Sequence, residues 1–128
     1  MTSAPLTFDA RGLADILDAS SREQLDTLDF GVIGFDADGK VQRYNAFESQ
    51  AAGLSPQRVI GEPLFTNVAP CMNNFMVAQR FEDAAADASE LDDTIDYVLT
   101  LRMRPIRVKL RLLASAASAT RYVLVQRR

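Results

Sequence analysis

Apolar residues recur along this chain in two rhythms. Leu13, Ile16 and Leu17, then Leu25 and Leu28, fall at helical spacing and predict one or two short helices before residue 28. Phe30-Gly31-Val32-Ile33-Gly34-Phe35 is a continuous apolar run of strand length. Asp36-Ala37-Asp38-Gly39 follows, and its Asp-Gly pair supplies the positive-φ geometry of a hairpin turn, so Val41–Tyr44 is the return strand. Asn45 then stands as an N-cap with Glu48 in the capping-box position, opening a short helix that runs to about Ala52 and stops at Gly53. Ser55-Pro56-Gln57-Arg58-Val59-Ile60-Gly61 predicts one or two further helical turns. Phe75, Met76, Ala78, Phe81, Ala84 and Ala85 predict a helix from Phe75 to Ala86. The last third reads as strands over about 92–103, 105–113 and 121–127, with Pro105 at a bend and the small polar run Ala114–Thr120 as a loop.

Two strands, several helices and three more strands make an α+β domain with an antiparallel sheet and the helices gathered on one side. The 128 residues suit one domain, enough to bury roughly two-thirds of the unfolded surface. Within it, residues 1–28 divide off as an N-terminal helical cap and 29–128 as the core.

Charge changes the picture little. Residues 102–128 hold eight of the 14 basic side chains and none of the 17 acidic ones. A basic stretch of this kind is one mark of nucleic-acid binding. In Ile106–Leu112, however, the charges alternate strictly with apolar residues, as on the solvated face of a half-buried strand. Arg102, Arg104, Arg107, Lys109 and Arg111 therefore read first as a solvated face and second as a docking surface, and the acidic remainder would repel phosphates. No signal-peptide pattern or membrane-length apolar run stands in the sequence, so a cytoplasmic location is expected.

The candidate chemistry is sparse. The chain has one cysteine, Cys71, and no histidine. This excludes Ser–His and Cys–His nucleophile pairs and disfavours a zinc site, so no enzymatic activity and no metal are expected. Gly31-x-x-Gly34 lies inside a strand and lacks the phosphate-loop pattern. Asp92, Asp93 and Asp96 read as strand-edge or turn residues. Tyr44, Glu48 and Cys71 each have an ordinary structural explanation: a packed ring, a cap partner and a core thiol.

Together they are more specific. Phe30-Gly31, Asp36 to Gly39, Tyr44-Asn45-Ala46, Glu48, Gly53, Pro56, Val59-Ile60-Gly61 and Val68-Ala69-Pro70-Cys71, continued through Tyr97, Met103-x-Pro105 and Val108-Lys109, resemble the photoactive yellow protein family, a branch of the PAS domains. The resemblance covers about residues 22–128. It implies a PAS-like fold, with a central antiparallel five-stranded sheet and helices packed on its faces. It implies a blue-light photoreceptor in which Cys71 carries 4-hydroxycinnamic acid (p-coumaric acid) as a thioester. Tyr44 and a protonated Glu48, four positions apart, would donate hydrogen bonds to the phenolate oxygen. Light isomerises the double bond in that family, the glutamate passes on its proton, and its buried charge drives partial unfolding that includes the N-terminal helices.

The chain departs from the family pattern in places. A threonine that supports the tyrosine hydroxyl is Ala52 here, and the arginine over the chromophore ring is Leu54. Leu99 and Leu101 replace aromatics, while Tyr97 and Met103 remain, the latter matching a methionine that assists thermal return. The pocket implied is more apolar and its phenolate less supported. The alternative is a PAS sensor or interaction module with a noncovalent ligand or no chromophore. No output segment is recognisable, so the signal is expected to leave through an unidentified downstream signalling protein or a change in self-association, from a monomer or weak homodimer, without nucleic acid or membrane.

Overall fold

A computed structural model describes residues 6–100 and 105–127. Two short helices, α1 (Leu13–Ala19) and α2 (Arg22–Leu25), precede a hairpin of β1 (Gly31–Phe35) and β2 (Val41–Tyr44). Helices α3 (Ala46–Ala52) and α4 (Pro56–Val59), a π-helical turn at Leu64–Val68, a 3-10 turn at Pro70–Met72 and α5 (Ala78–Asp87) follow. The chain ends in β3 (Leu91–Leu99), β4 (Ile106–Ala114) and β5 (Arg121–Arg127). The five strands form one antiparallel sheet in the order β2-β1-β5-β4-β3. This is the α+β architecture that the alternating patterns predict.

The hairpin turn is closed by its own side chain. Asp36 Oδ1 accepts the N–H groups of Asp38 and Lys40, at 2.9 and 3.0 Å, and Gly39 takes φ 80°. These bonds hold the Asp36 carboxyl below its usual pKa, the Lys40 amide contributing most.

Helices cover both faces of the sheet rather than one. Ile33, Phe35, Tyr44, Leu110, Leu112, Val123 and Val125 point to the face packed by the 59–81 segment. Val32, Leu113, Tyr122 and Leu124 point to the other, where Phe8, Leu13, Leu17 and Leu25 lie. Period-2 alternation assigns residues to a face but does not reveal which helix covers it.

Three side chains on the sheet and its edge hold this N-terminal layer by its backbone carbonyls. Arg43 donates to the carbonyls of Leu17 and Ser20 at the end of α1. Arg111 donates to those of Phe8 and Ala10, at 3.0 and 2.7 Å. Asn45 donates to those of Leu25 and Phe30, both at 3.0 Å. Arg111 thus corrects the expectation of a solvated strand face. It is 6% exposed and also grips Asp92 with two nitrogens, at 2.8 and 2.9 Å. Arg107 is exposed and Lys109 half-buried, whereas Arg102 and Arg104 lie outside the described residues.

The predicted helix at Phe75 starts three residues later, at Ala78. Asn74 Oδ1 accepts the Met76 and Val77 N–H groups, at 3.0 and 3.2 Å, which turns the chain before the helix begins. Phe75 is left 78% exposed instead of facing the core.

Candidate functional site

Tyr44 closes β2 and Glu48 lies in the first turn of α3, so a strand end and a helix start converge, as the predicted return strand and Asn45 cap require. Asn45 makes that junction. Its Oδ1 accepts the Glu48 N–H at 3.2 Å and the Val32 N–H at 2.9 Å. One half of the predicted capping box is therefore present. The other half is absent, because the Glu48 carboxylate turns away from the cap. It meets Arg127 of β5 in a two-pronged ion pair, Nη1–Oε1 2.7 Å and Nη2–Oε2 3.0 Å.

Glu48 is 2% exposed. The carboxylate lies against the backbone of β1, and a Cβ at residue 31 would collide with Oε1, so any larger residue than Gly31 would push the Glu48 carboxylate from its place. Burial pushes the Glu48 carboxyl above the ordinary carboxylate pKa, and Arg127 pulls against it without cancelling it. The Tyr44 phenol is also raised, first by burial and then by the charge of Glu48. Its hydroxyl makes no hydrogen bond to another described residue. Arg127 Nε is buried and likewise has no hydrogen-bond partner. A buried donor without an acceptor, as at Arg127 Nε, is uncommon in a folded chain.

Cys71 sits in the 3-10 turn and is half-buried and free. Its side chain packs against the same apolar cluster that contains Tyr44 and Leu99, with Leu54 and Tyr97 also resting on that cluster. The Cys71 backbone is held from outside the core. Tyr97 Oη donates to the Cys71 carbonyl at 2.6 Å, and Asn74 Nδ2 donates to the same oxygen at 3.2 Å. Beyond them opens a cleft of about 640 Å³ lined by Asn74, Met76, Asp96, Tyr97, Val98, Arg107 and Val108.

The apolar cluster thus brings together five of the expected positions: Tyr44, Leu54, Cys71, Tyr97 and Leu99. Glu48 joins them through Arg127 on β5, whose Val123 and Val125 belong to that cluster. Ala52 is buried at the end of α3 but lies outside the cluster. Met103 and Leu101 fall outside the described residues. Sequence reasoning missed Asn74 and Arg127. The Asn-Asn pair after Met72 gave a turn signal for the first, whereas nothing local marked the second.

Comparison with known proteins gives the fold and the family. A sequence profile of the PAS fold matches residues 25–125. The photoactive yellow protein of Rhodothalassium salexigens is 34% identical over 115 residues, covering 90% of this chain and 88% of that one. That of Halochromatium salexigens is 32% identical over 120 residues, covering 94% and 95%. The chain belongs to the photoactive yellow protein family. Its members named here are light receptors on a PAS scaffold, and blue-light reception with a chromophore is the kind of function the family carries.

Solved structures place the fold in the same family. The photoactive yellow protein domain of the sensor histidine kinase Ppr from Rhodospirillum centenum superposes with a TM-score of 0.81 at 34% identity, covering 88% of this chain and 98% of that domain. The PAS domain of the quorum-sensing receptor RpfR from Cronobacter turicensis shares the fold alone, at a TM-score of 0.60 and 17% identity, covering 77% and 93%. No helix among the described residues is long and apolar enough to cross a membrane.

Proposed function

We propose that this chain is a blue-light receptor whose Cys71 carries 4-hydroxycinnamic acid as a thioester, with Tyr44 and Glu48 addressing its phenolic oxygen. The observation that carries the reading is the convergence of Tyr44, whose hydroxyl makes no hydrogen bond to a described residue, and a buried Glu48 on the core against which Cys71 packs. The donor set fits the group. A thiol at the core edge can be acylated, and a phenolate needs donors in a dry site, since burying it unpaired is costly.

When bound, the chromophore supplies a light-isomerisable double bond and a phenolic oxygen that exchanges a proton. The chain supplies the rest. Tyr44 donates a hydrogen bond and stays protonated, because its phenol is raised above the usual value. Glu48 holds a proton at its carboxyl oxygen, favoured by burial, and releases it when the partner oxygen becomes the better base. The 3-10 turn, with Tyr97 and Asn74 on its carbonyl, fixes the anchor. Residues 1–28 act as a cap that loosens after isomerisation and proton transfer, and Asn45 is the link, bonding both the Glu48 amide and the Leu25 carbonyl. The signal then passes to a partner protein, and the sensor kinase that carries a related domain indicates the kind of partner.

Mixing the chromophore-free chain with activated 4-hydroxycinnamate tests the reading. The expected result is an intact-mass increase of one acyl group and a new visible absorbance, both absent in Cys71→Ala. A chain that forms no adduct would instead be a PAS module with a noncovalent ligand or none.

A further inference from the structure

We propose that Arg127 is the fixed counter-ion of the site: it holds the Glu48 carboxylate in the chromophore-free chain, and takes that carboxylate back whenever Glu48 gives its proton to a phenolic oxygen. The second half of this inference rests on the chromophore reading above; the first half does not.

Two observations carry it. The pair is two-pronged, at 2.7 and 3.0 Å, and its acid is 2% exposed. Arg127 Nε is buried with no partner, so the guanidinium keeps a donor unused while both terminal nitrogens hold Glu48.

Charge neutrality supplies the argument. A buried site tolerates a net charge poorly, and a fixed guanidinium admits one anion without imbalance. In the chromophore-free chain that anion is the Glu48 carboxylate. When a phenol enters, its O–H bond breaks and an O–H bond forms on Glu48, so the anion becomes the phenolate. After isomerisation the Glu48 O–H bond breaks, the phenol O–H bond re-forms and the carboxylate returns. One proton moves between two oxygens while Arg127 stays, and the net charge is zero throughout. Among the described residues, the charged and titratable groups that act on the Glu48 carboxyl are Arg127 from β5 and Tyr44 from β2.

The test is infrared titration of the chromophore-free protein, reading the protonated-carboxyl stretch that vanishes in Glu48→Gln. The expected result is that Arg127→Gln shifts the titration of that band upward by about one pH unit or more, a tenfold change in proton affinity. Arg127→Lys keeps the charge and should restore most of the wild-type titration, which separates counter-ion action from a folding defect. A band with the same midpoint in all three proteins would overturn the proposal, whatever the chromophore does. In the reconstituted protein, Arg127→Gln should shorten the light-state lifetime about tenfold. An unchanged lifetime would overturn the second half. Failure of the chromophore to attach would overturn the photoreceptor reading and that half with it, leaving the carboxylate pairing to stand or fall on the titration.

Discussion

Asn45 binds the Leu25 carbonyl at 3.0 Å through its amide nitrogen while its oxygen accepts the Glu48 N–H at 3.2 Å. One buried carboxamide therefore spans the end of α2 and the first turn of α3. It also accepts the Val32 N–H and donates to the Phe30 carbonyl, so both its oxygen and its nitrogen bond twice. Nearly all of its bonding capacity is used, and the cap, β1 and α3 share one polar centre.

Asn45→Ala should therefore cost more than an exposed N-cap. Capping alone contributes about 1 kcal/mol, and each buried group left unpaired adds about 1–3 kcal/mol before relaxation. A loss of about 3 kcal/mol or more in urea unfolding is expected. Faster amide exchange should appear in residues 13–25. A loss below about 0.5 kcal/mol, the size of an ordinary surface substitution, would show that the centre does not hold the layers together.

Tyr97 fixes the turn that presents the thiol. Tyr97→Phe removes the 2.6 Å bond to the Cys71 carbonyl and the contact with Asn74, also 2.6 Å. The expected cost is about 1 kcal/mol, with a several-fold faster reaction of Cys71 with an aromatic disulfide reagent as the turn opens. Equal labelling rates in the two proteins would mean that the turn holds without Tyr97.

Much of the site could be read from the sequence because its signals are local. The Asp-Gly turn, the Asn45 cap and the Pro70-Cys71 string each declare their geometry within a few residues. What could not be read is long-range. Glu48 three residues after an N-cap has a complete local explanation, and only the sheet register brings β5 and Arg127 to it. Arg111 alternates correctly with apolar neighbours, yet the face it points to is covered by residues more than 90 positions away. Phe75 fits the helical period but precedes a turn that Asn74 sets with one side chain.

Asp92 and Glu48 should act oppositely on the pH dependence of stability. The hydrogen bond from Arg111 holds the Asp92 carboxyl below its usual value. Its contribution is present above the unfolded-state value and is lost as pH falls through the folded one. Asp92→Asn should flatten the acid limb of a stability–pH curve below about pH 4, modestly because the carboxylate is half-exposed. Glu48, raised by burial, has the reverse sign: stability falls as pH rises from the ordinary carboxylate value to the folded one. An Asp92→Asn curve parallel to wild type throughout would refute the first assignment.

Glu48→Gln removes the charge that Arg127 faces. An amide oxygen keeps one acceptor for the part-buried guanidinium but leaves it without its anion. In the reconstituted protein the absorbance should move to the red. Light should then release less amide exchange in the N-terminal layer, since no carboxylate is left behind. A light-driven change as large as that of wild type would remove the buried-charge explanation.

Leu54 is half-buried and rests on the cluster that holds Tyr44 and packs against Cys71. It can neither donate a hydrogen bond nor place a charge there. The phenolate in a reconstituted protein therefore gains no cationic support from position 54. Leu54→Arg adds a cation beside the same core and should lower the midpoint of phenolate protonation by about one pH unit, because opposite charge nearby favours the ionised form. Absorbance titration of both proteins gives the comparison directly. A wild-type chromophore still fully ionised well below neutral pH would show that Leu54 is no handicap, and equal midpoints would show that position 54 does not face the phenolate.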